Sequence, residues 1–310
     1  MAYRIGHVND ASQLAHYAML EQIADFAENG MASGQGWVIQ RYNTAAVDRE
    51  LILKGPGLSG EEEIFIGFRT YQSVSADYYN LVAGVFTGYV PGNSFDTQPG
   101  VRLSGIPAHN QAIDYWMVGN GQRIALGLKV GTPVYMHGYA GKFFPYAAPG
   151  EYRAPLVCAG MLNGTPPTRF SDVNLSMPYK GARANFAMRS NMGSWLQPEC
   201  WPFVNTFLCG NTANTTQVRP TGPNYFPQRI EPTDALGVYG FLDGVFYIPG
   251  FDNVTENVLQ MGGSYTVAHA GKTLAEIVAE IIGDAGGRAF VVLQDAHRTG
   301  FNDYIAMEMA

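Results

Sequence analysis

Four β-rich runs follow one another between residues 37 and 90: WVIQRY (37–42), ELILKG (50–55), EIFIGFRTY (63–71) and DYYNLVAGVFTGYV (77–90). Each is rich in β-branched and aromatic residues, and turn-forming residues separate them. Gaps this short cannot hold the crossover that parallel pairing needs, so the four are expected as antiparallel neighbours in one sheet. The linker GPGLSGEEE within them reads as a loop whose three Glu are solvated. Adjacent carboxylates with no partner His or Asp do not converge on a metal.

A helix is expected to lie against this sheet. In NDASQLAHYAMLEQIADFAENG the apolar Leu14, Ala18, Ile23, Phe26 and Ala27 recur at helical spacing, Asp10 or Ser12 is placed to cap the start, and Gly30 ends it. Residues 91–112 are turn-rich and read as a long ordered excursion. Strand patterns resume at 113–118, 123–130, 133–144 and 154–162. Residues 163–233 carry many Pro, Gly and Asn but keep aromatics and Arg, so ordered arms are expected there rather than linkers. In GKTLAEIVAEIIGDAG (271–286), Leu274, Ile277, Val278, Ile281 and Ile282 fall on one helical face. GRAFVVLQD and DYIAMEMA then read as a terminal hairpin.

The expected class is thus α+β: predominantly antiparallel β, an N-terminal and a C-terminal amphipathic helix packed on sheets, and a loop-rich middle. The expected division is a helix-plus-sheet module at 1–92, a loop-rich β region with extended arms at 93–233, and a strand-helix-hairpin module at 234–310 that can share one sheet domain with the first. The two ends share a faint echo, Arg69-Thr70 ahead of Asp77-Tyr78 and Arg298-Thr299 ahead of Asp303-Tyr304. If the echo reflects repetition, the end modules are related.

In PVYMHGYAGKFFPY, alternation places Val134, Met136, Gly138 and Ala140 on one face and Tyr135, His137, Tyr139 and Gly141 on the other. A lone His among tyrosines, with no carboxylate in line, reads as a hydrogen-bonded packing residue rather than a general base. The Pro- and Gly-rich stretch that follows reads as an arm reaching a neighbour.

Composition narrows the function. Charged residues make up 15% of the 310, against roughly 25% in an average soluble domain, while Tyr (18) and Phe (17) are abundant. A chain so short of solvated surface fits either an exterior covered by other subunits or a large β-rich core. The net charge of −7, with no Lys/Arg cluster, disfavours nucleic acid. No secretory signal pattern opens the chain, and no apolar run approaches the roughly 18 residues of a membrane span, so a soluble protein without a membrane span is expected. Cys158, Cys200 and Cys209 have no CxxC spacing, which favours a reducing compartment. The spacing neither demands nor excludes a Cys200–Cys209 bridge. The sequons at Asn163, Asn214 and Asn253 matter only in a secreted eukaryotic protein.

Motifs for chemistry are weak. No two of the six histidines stand at a ligand spacing such as HxH or HExxH, so no metal site is expected. GxSxG is absent; GNSFD at 92–96 lacks the second glycine of a nucleophile elbow. GKT at 271–273 lacks the upstream glycine of a phosphate loop, Thr266 standing in its place, so no cofactor is expected either. Loops rich in Trp, Tyr, Asn and Asp allow glycan binding as an alternative. Asp114, Glu151, Asp172 and Glu199 would be the carboxylates of a glycosidase. Trp116, Trp195 and Trp201 read equally as core or interface.

Three runs carry a resemblance: DRELILKGPGLSGEEEIFIGFRTYQSVSADYYNLVAGVFTGYVPGNSFDTQPG, YWMVGNGQRIALGLKVGTPVYMHGYAGKFFPYAAPGEYRAPLVCAGM and FVVLQDAHRTGFNDYIAMEMA. Across most of its length the chain resembles virion structural proteins of contractile-tailed bacteriophages, by general texture rather than by a signature motif. The resemblance implies a particle component without enzymatic activity, assembled in the host cytoplasm as a cyclic homo-oligomer, hexameric for preference, and contacting other tail proteins. An opening helix followed by a small antiparallel sheet is similar to tail-terminator and neck proteins. Those are shorter, and the extra middle region leaves collar and baseplate stations open. On this reading Phe143, Phe144, Tyr146, Tyr152, Trp195, Trp201, Tyr225 and Phe226 are the expected contact anchors.

Overall fold

The computed structural model describes residues 2–142, 156–162, 168–172, 175, 185–189, 193–196, 251–252, 290–298 and 304–308. These are mostly antiparallel β, with one α-helix among the described residues. The helix expected over 271–286 lies outside them.

The first expected sheet forms as a meander of β2 (Val38–Asn43), β3 (Glu50–Gly55), β4 (Ile64–Ser73) and β5 (Tyr78–Phe86), every pair antiparallel. A fifth strand, β6 (Arg102–Pro107), completes it beside β5. The excursion expected over 91–112 is therefore shorter than its turn-rich composition suggested. Gly105, with no side chain, lets the Leu162 side chain approach, and the Gly105 carbonyl accepts the backbone N–H groups of Met161 and Leu162.

The remainder of the excursion packs rather than projects. Residues 87–101 cross the outer face of this sheet with a short 3-10 turn at Phe95–Thr97. Gly67 and Gly84 face each other across β4 and β5, and the ring of Phe95 fills the notch they leave. It meets Phe86 edge-on at 5.3 Å and shares a small core with Ile52, Val82 and Leu103.

The larger sheet opens with a strand that sequence reasoning missed, β1 (Ala2–Asn9). It pairs along its full length with β7 (Ala112–Asn120), from Ala2 opposite Gly119 to Asn9 opposite Ala112. Next come β8 (Arg123–Gly131), β9 (Val134–Lys142), β10 (Leu156–Gly160), β11 (Asn185–Arg189) and the two-residue β12 (Trp195–Leu196), in the order β1-β7-β8-β9-β10-β11-β12. Inner side chains of the two sheets, among them Leu51, Ile66, Phe68, Leu81, Ile106, Met117, Leu126 and Ala140, merge in one buried core.

The helix α1 (Ala15–Asn29) touches strands of both sheets and contributes Met19, Leu20, Ile23, Phe26 and Ala27 to that core. Gly30 ends it, as expected, with its N–H on the Phe26 carbonyl at 2.9 Å. The start differs. Neither Asp10 nor Ser12 caps it; Leu14 stands at the cap without a side-chain bond, and the Ala15 N–H donates to the Asn110 carbonyl at 2.8 Å. A backbone group from the β6–β7 loop takes over part of the task expected of a local side chain.

The terminal hairpin forms as expected, from β14 (Phe290–Gln294) and β15 (Tyr304–Glu308), with β13 (Phe251–Asp252) on the far side of β15. It lies on the outer face of the larger sheet. Leu293 sits over Gly127, Tyr135 and Ala296 exchange two backbone hydrogen bonds of 2.9 and 3.0 Å, and His137 Nε2–H donates to the Gln294 carbonyl at 2.6 Å. Arg69 lies inside β4 whereas Arg298 lies beyond β14, so the two echoing stretches occupy different stations in their hairpins. No helix among the described residues is long and apolar enough to cross a membrane.

Candidate functional site

Strict alternation along β1 sorts its side chains. Arg4 turns inward, where Nη1 meets Asp25 Oδ2 at 2.6 Å and the guanidinium lies over the Phe26 ring. Tyr3, Ile5 and His7 turn outward, and Tyr3 and Ile5 remain 53% and 58% exposed. Opposite them on β7 stand Val118, Trp116 and Asp114, with Gly127 and Lys129 beyond on β8. The Trp116 ring lies 6.2 Å from that of Tyr135 on β9. An apolar row thus runs from the outer edge of β1, unpaired among the described residues, toward the terminal hairpin.

Its polar end is a cluster of polar side chains around Asp114. His7 Nδ1 is 2.7 Å from Asp114 Oδ1, and Lys129 Nζ is 3.7 Å from Asp114 Oδ2. With His109, Gln111 and Thr132 they line a shallow groove of about 260 Å³. Among the described residues Asp114 is the one carboxylate lining the groove, and His7 and Lys129 already engage it. With both carboxylate oxygens engaged, Asp114 is suited to holding β1 on β7 and to orienting His7.

The other sequence candidates fall elsewhere. Asp172 pairs with Arg298 at 2.9 Å and His297 at 3.5 Å, in a cluster separate from Asp114. Glu151 and Glu199 lie outside the described residues. Trp195 is half-buried, packs against the main core and carries the Arg189 guanidinium 5.6 Å from its ring. Phe143, Phe144, Tyr146, Tyr152, Trp201, Tyr225 and Phe226 lie outside the described residues, as do Cys200 and Cys209. No group of three potential metal ligands occurs among the described residues.

Buried titratable groups are set up for packing. His137 has no solvent exposure, and burial holds its pKa below the ordinary histidine value, so the ring is neutral and donates from Nε2. Its surroundings match the packing role expected of it, and Tyr139 beside it donates to the Lys142 carbonyl at 3.0 Å. Burial, aided by the Arg49 charge, lowers His16 to about 4. Burial pushes the Cys158 thiol up to about 12, which leaves no thiolate for chemistry near neutral pH.

Tyr3 and Ile5 were missed because a strand of eight residues carrying Arg, His and two small residues gives a weak β signal. The available clue was the Tyr3-Ile5-His7 alternation itself. No family model matches the chain, and no curated protein matches it significantly.

Proposed function

We propose that this chain is a structural component of a tailed-bacteriophage virion, a ring-forming subunit of the neck, collar or terminator region that acts through protein–protein contacts and has no enzymatic activity. The observation that carries the reading of an assembling subunit is the outward row of Tyr3, Ile5 and Trp116, at a sheet edge that no other described strand pairs with, on a sandwich whose interior is already filled. An apolar row at a strand edge favours association, and the low charge of the whole chain fits a surface covered by neighbours. Itself in a cyclic homo-oligomer, hexameric for preference, and other tail proteins are the proposed partners. The α+β organisation, with its second amphipathic helix at 271–286, belongs to the same proposal. A baseplate station is the nearest alternative.

A second reading, glycan binding, is favoured by the Trp116–Tyr135 pair beside the polar His7–Asp114–Lys129 cluster. An aromatic face next to hydrogen-bonding groups suits a sugar ring. Native mass by light scattering across a concentration series separates the two. A discrete mass of about three, six or twelve subunits, the small closed rings of cyclic symmetry, supports the ring subunit. A concentration-independent monomer that is retained on polysaccharide supports the glycan reading.

A further inference from the structure

Resting on the reading of this chain as an assembling subunit, we infer that the outer edge of β1, which no other described strand pairs with, receives β1 of a second copy, antiparallel, about a two-fold axis at Ile5. The edges differ in how they are finished. The Gln40 carbonyl on β2 accepts the Tyr89 hydroxyl, Arg41 reaches across to the carbonyls of Pro91 and Asn93, and the β2–β3 register shifts between Ile39 and Arg41. The excursion therefore occupies the β2 edge and a bulge distorts it. The far edge of β6 is taken up by Met161 and Leu162 at Gly105.

The β1 edge has none of these devices. It runs eight residues in unbroken register, without proline, lysine or bulge. Its one arginine, which could have repelled an incoming strand, is drawn inward onto Asp25. Natural sheets protect such edges unless they are to be paired.

A second copy of β1 is an occupant whose register fits this edge. Residues directly opposite in an antiparallel pair share a face, so the odd-numbered outer residues of one copy must meet those of the other. Placing Ile5 opposite the second copy's Ile5 sets Tyr3 against His7 and Arg4 against Gly6, with no like charges opposed. Sliding two residues toward the N-terminus would set Arg4 against Arg4, which is disfavoured. In the Ile5 register the two outer rows of Tyr3, Ile5 and Trp116 become one apolar patch across the seam. Such a contact is isologous; it joins copies in pairs and, combined with a cyclic contact, places two rings back to back.

The test is Ile5→Cys under mild oxidation, with Val38→Cys on β2, itself 56% exposed, as the control and wild type as the background for its own cysteines. Opposed residues at the axis have β-carbons about 4.5–5.5 Å apart, within reach of small adjustment to a disulfide. The expected result is a cross-linked dimer from Ile5→Cys alone, together with a halved native mass for Ile5→Lys, whose exposed site leaves the fold intact. If wild type assembles but Ile5→Cys does not cross-link above background and Ile5→Lys keeps the wild-type mass, the β1 contact is overturned while the ring reading stands. If wild type is monomeric at every concentration, the homo-oligomer reading fails and the β1 contact with it.

Discussion

Leu293 occupies the space that a β-carbon on Gly127 would need, so the terminal hairpin is seated in a notch on the outer face of the larger sheet. Met307 lies next to the same notch, and both side chains are fully buried. Gly127→Val is expected to push the hairpin off its seat at a cost of about 1–3 kcal/mol, the usual range for overpacking. Leu293→Ala is expected to cost about 2–5 kcal/mol by leaving a cavity. Urea unfolding of both variants checks this, with limited proteolysis near residues 290–308 as the local readout.

Arg298 clasps the loop after β14. Its Nη1 lies 2.8 Å from Asp295 Oδ2, and its Nη2 donates to the carbonyls of Asp172 and Leu175. Asp295 is fully buried. Removing one member of a buried pair costs about 3–5 kcal/mol, so Arg298→Ala should be among the most destabilising changes in the hairpin. Arg298→Lys should recover only part of the loss, because an ammonium cannot span the same carbonyls and carboxylates. Thermal unfolding of the pair of variants gives the comparison.

His16 sits between the rings of Tyr17 and Tyr79 in the buried face of α1. Its folded pKa of about 4 lies below the ordinary 6.5, so the unfolded chain binds the proton first as pH falls. Stability is therefore retained above about pH 6.5 and lost progressively toward pH 4, by up to about 3 kcal/mol from this residue. His137 acts in the same direction. Denaturant midpoints between pH 7 and 4 should fall for wild type and fall less for His16→Phe. An equal fall in the variant would assign the acid sensitivity to other groups.

Phe95 holds the 87–101 excursion onto the outer face of β4 and β5, and Arg69 covers its ring at 5.2 Å while pairing with Asp96 at 2.6 Å. Phe95→Ala should cost about 3–5 kcal/mol. It should also raise hydrogen exchange along residues 87–101 before the core strands. Uniform exchange across the sandwich would show that the excursion has no independent stability.

Trp195 was expected as a contact anchor, and it packs half-buried on the main core with Arg189 over its ring. If it serves assembly, Trp195→Ala should cost about 2 kcal/mol or more of association with the subunit still folded. Loss of folding in the isolated subunit would assign the ring to the core. Light scattering and circular dichroism on one sample distinguish these results.

Local pattern was enough for much of the fold. The β2–β5 meander, the Gly30 stop of α1, the two faces of β9 and the terminal hairpin all follow from periodicity and turn chemistry acting within about ten residues. What composition could not convey was that part of the turn-rich 91–112 stretch is a strand, β6. Its glycine is the point where Leu162 comes close, and that close approach is not a local property.

The assembly of the outward site depended on tertiary structure. His7 and Asp114 meet only because β1 crosses more than a hundred residues of chain to pair with β7. The same pairing puts Ile5 beside Trp116 and leaves the other edge of β1 without a partner among the described residues. The sequence by itself determined most of the β segments, β1 and β6 excepted, and which of their side chains alternate. The tertiary structure decided which strand lies at the edge and which face stays uncovered, because strand order is settled by long-range burial rather than by neighbours in the chain.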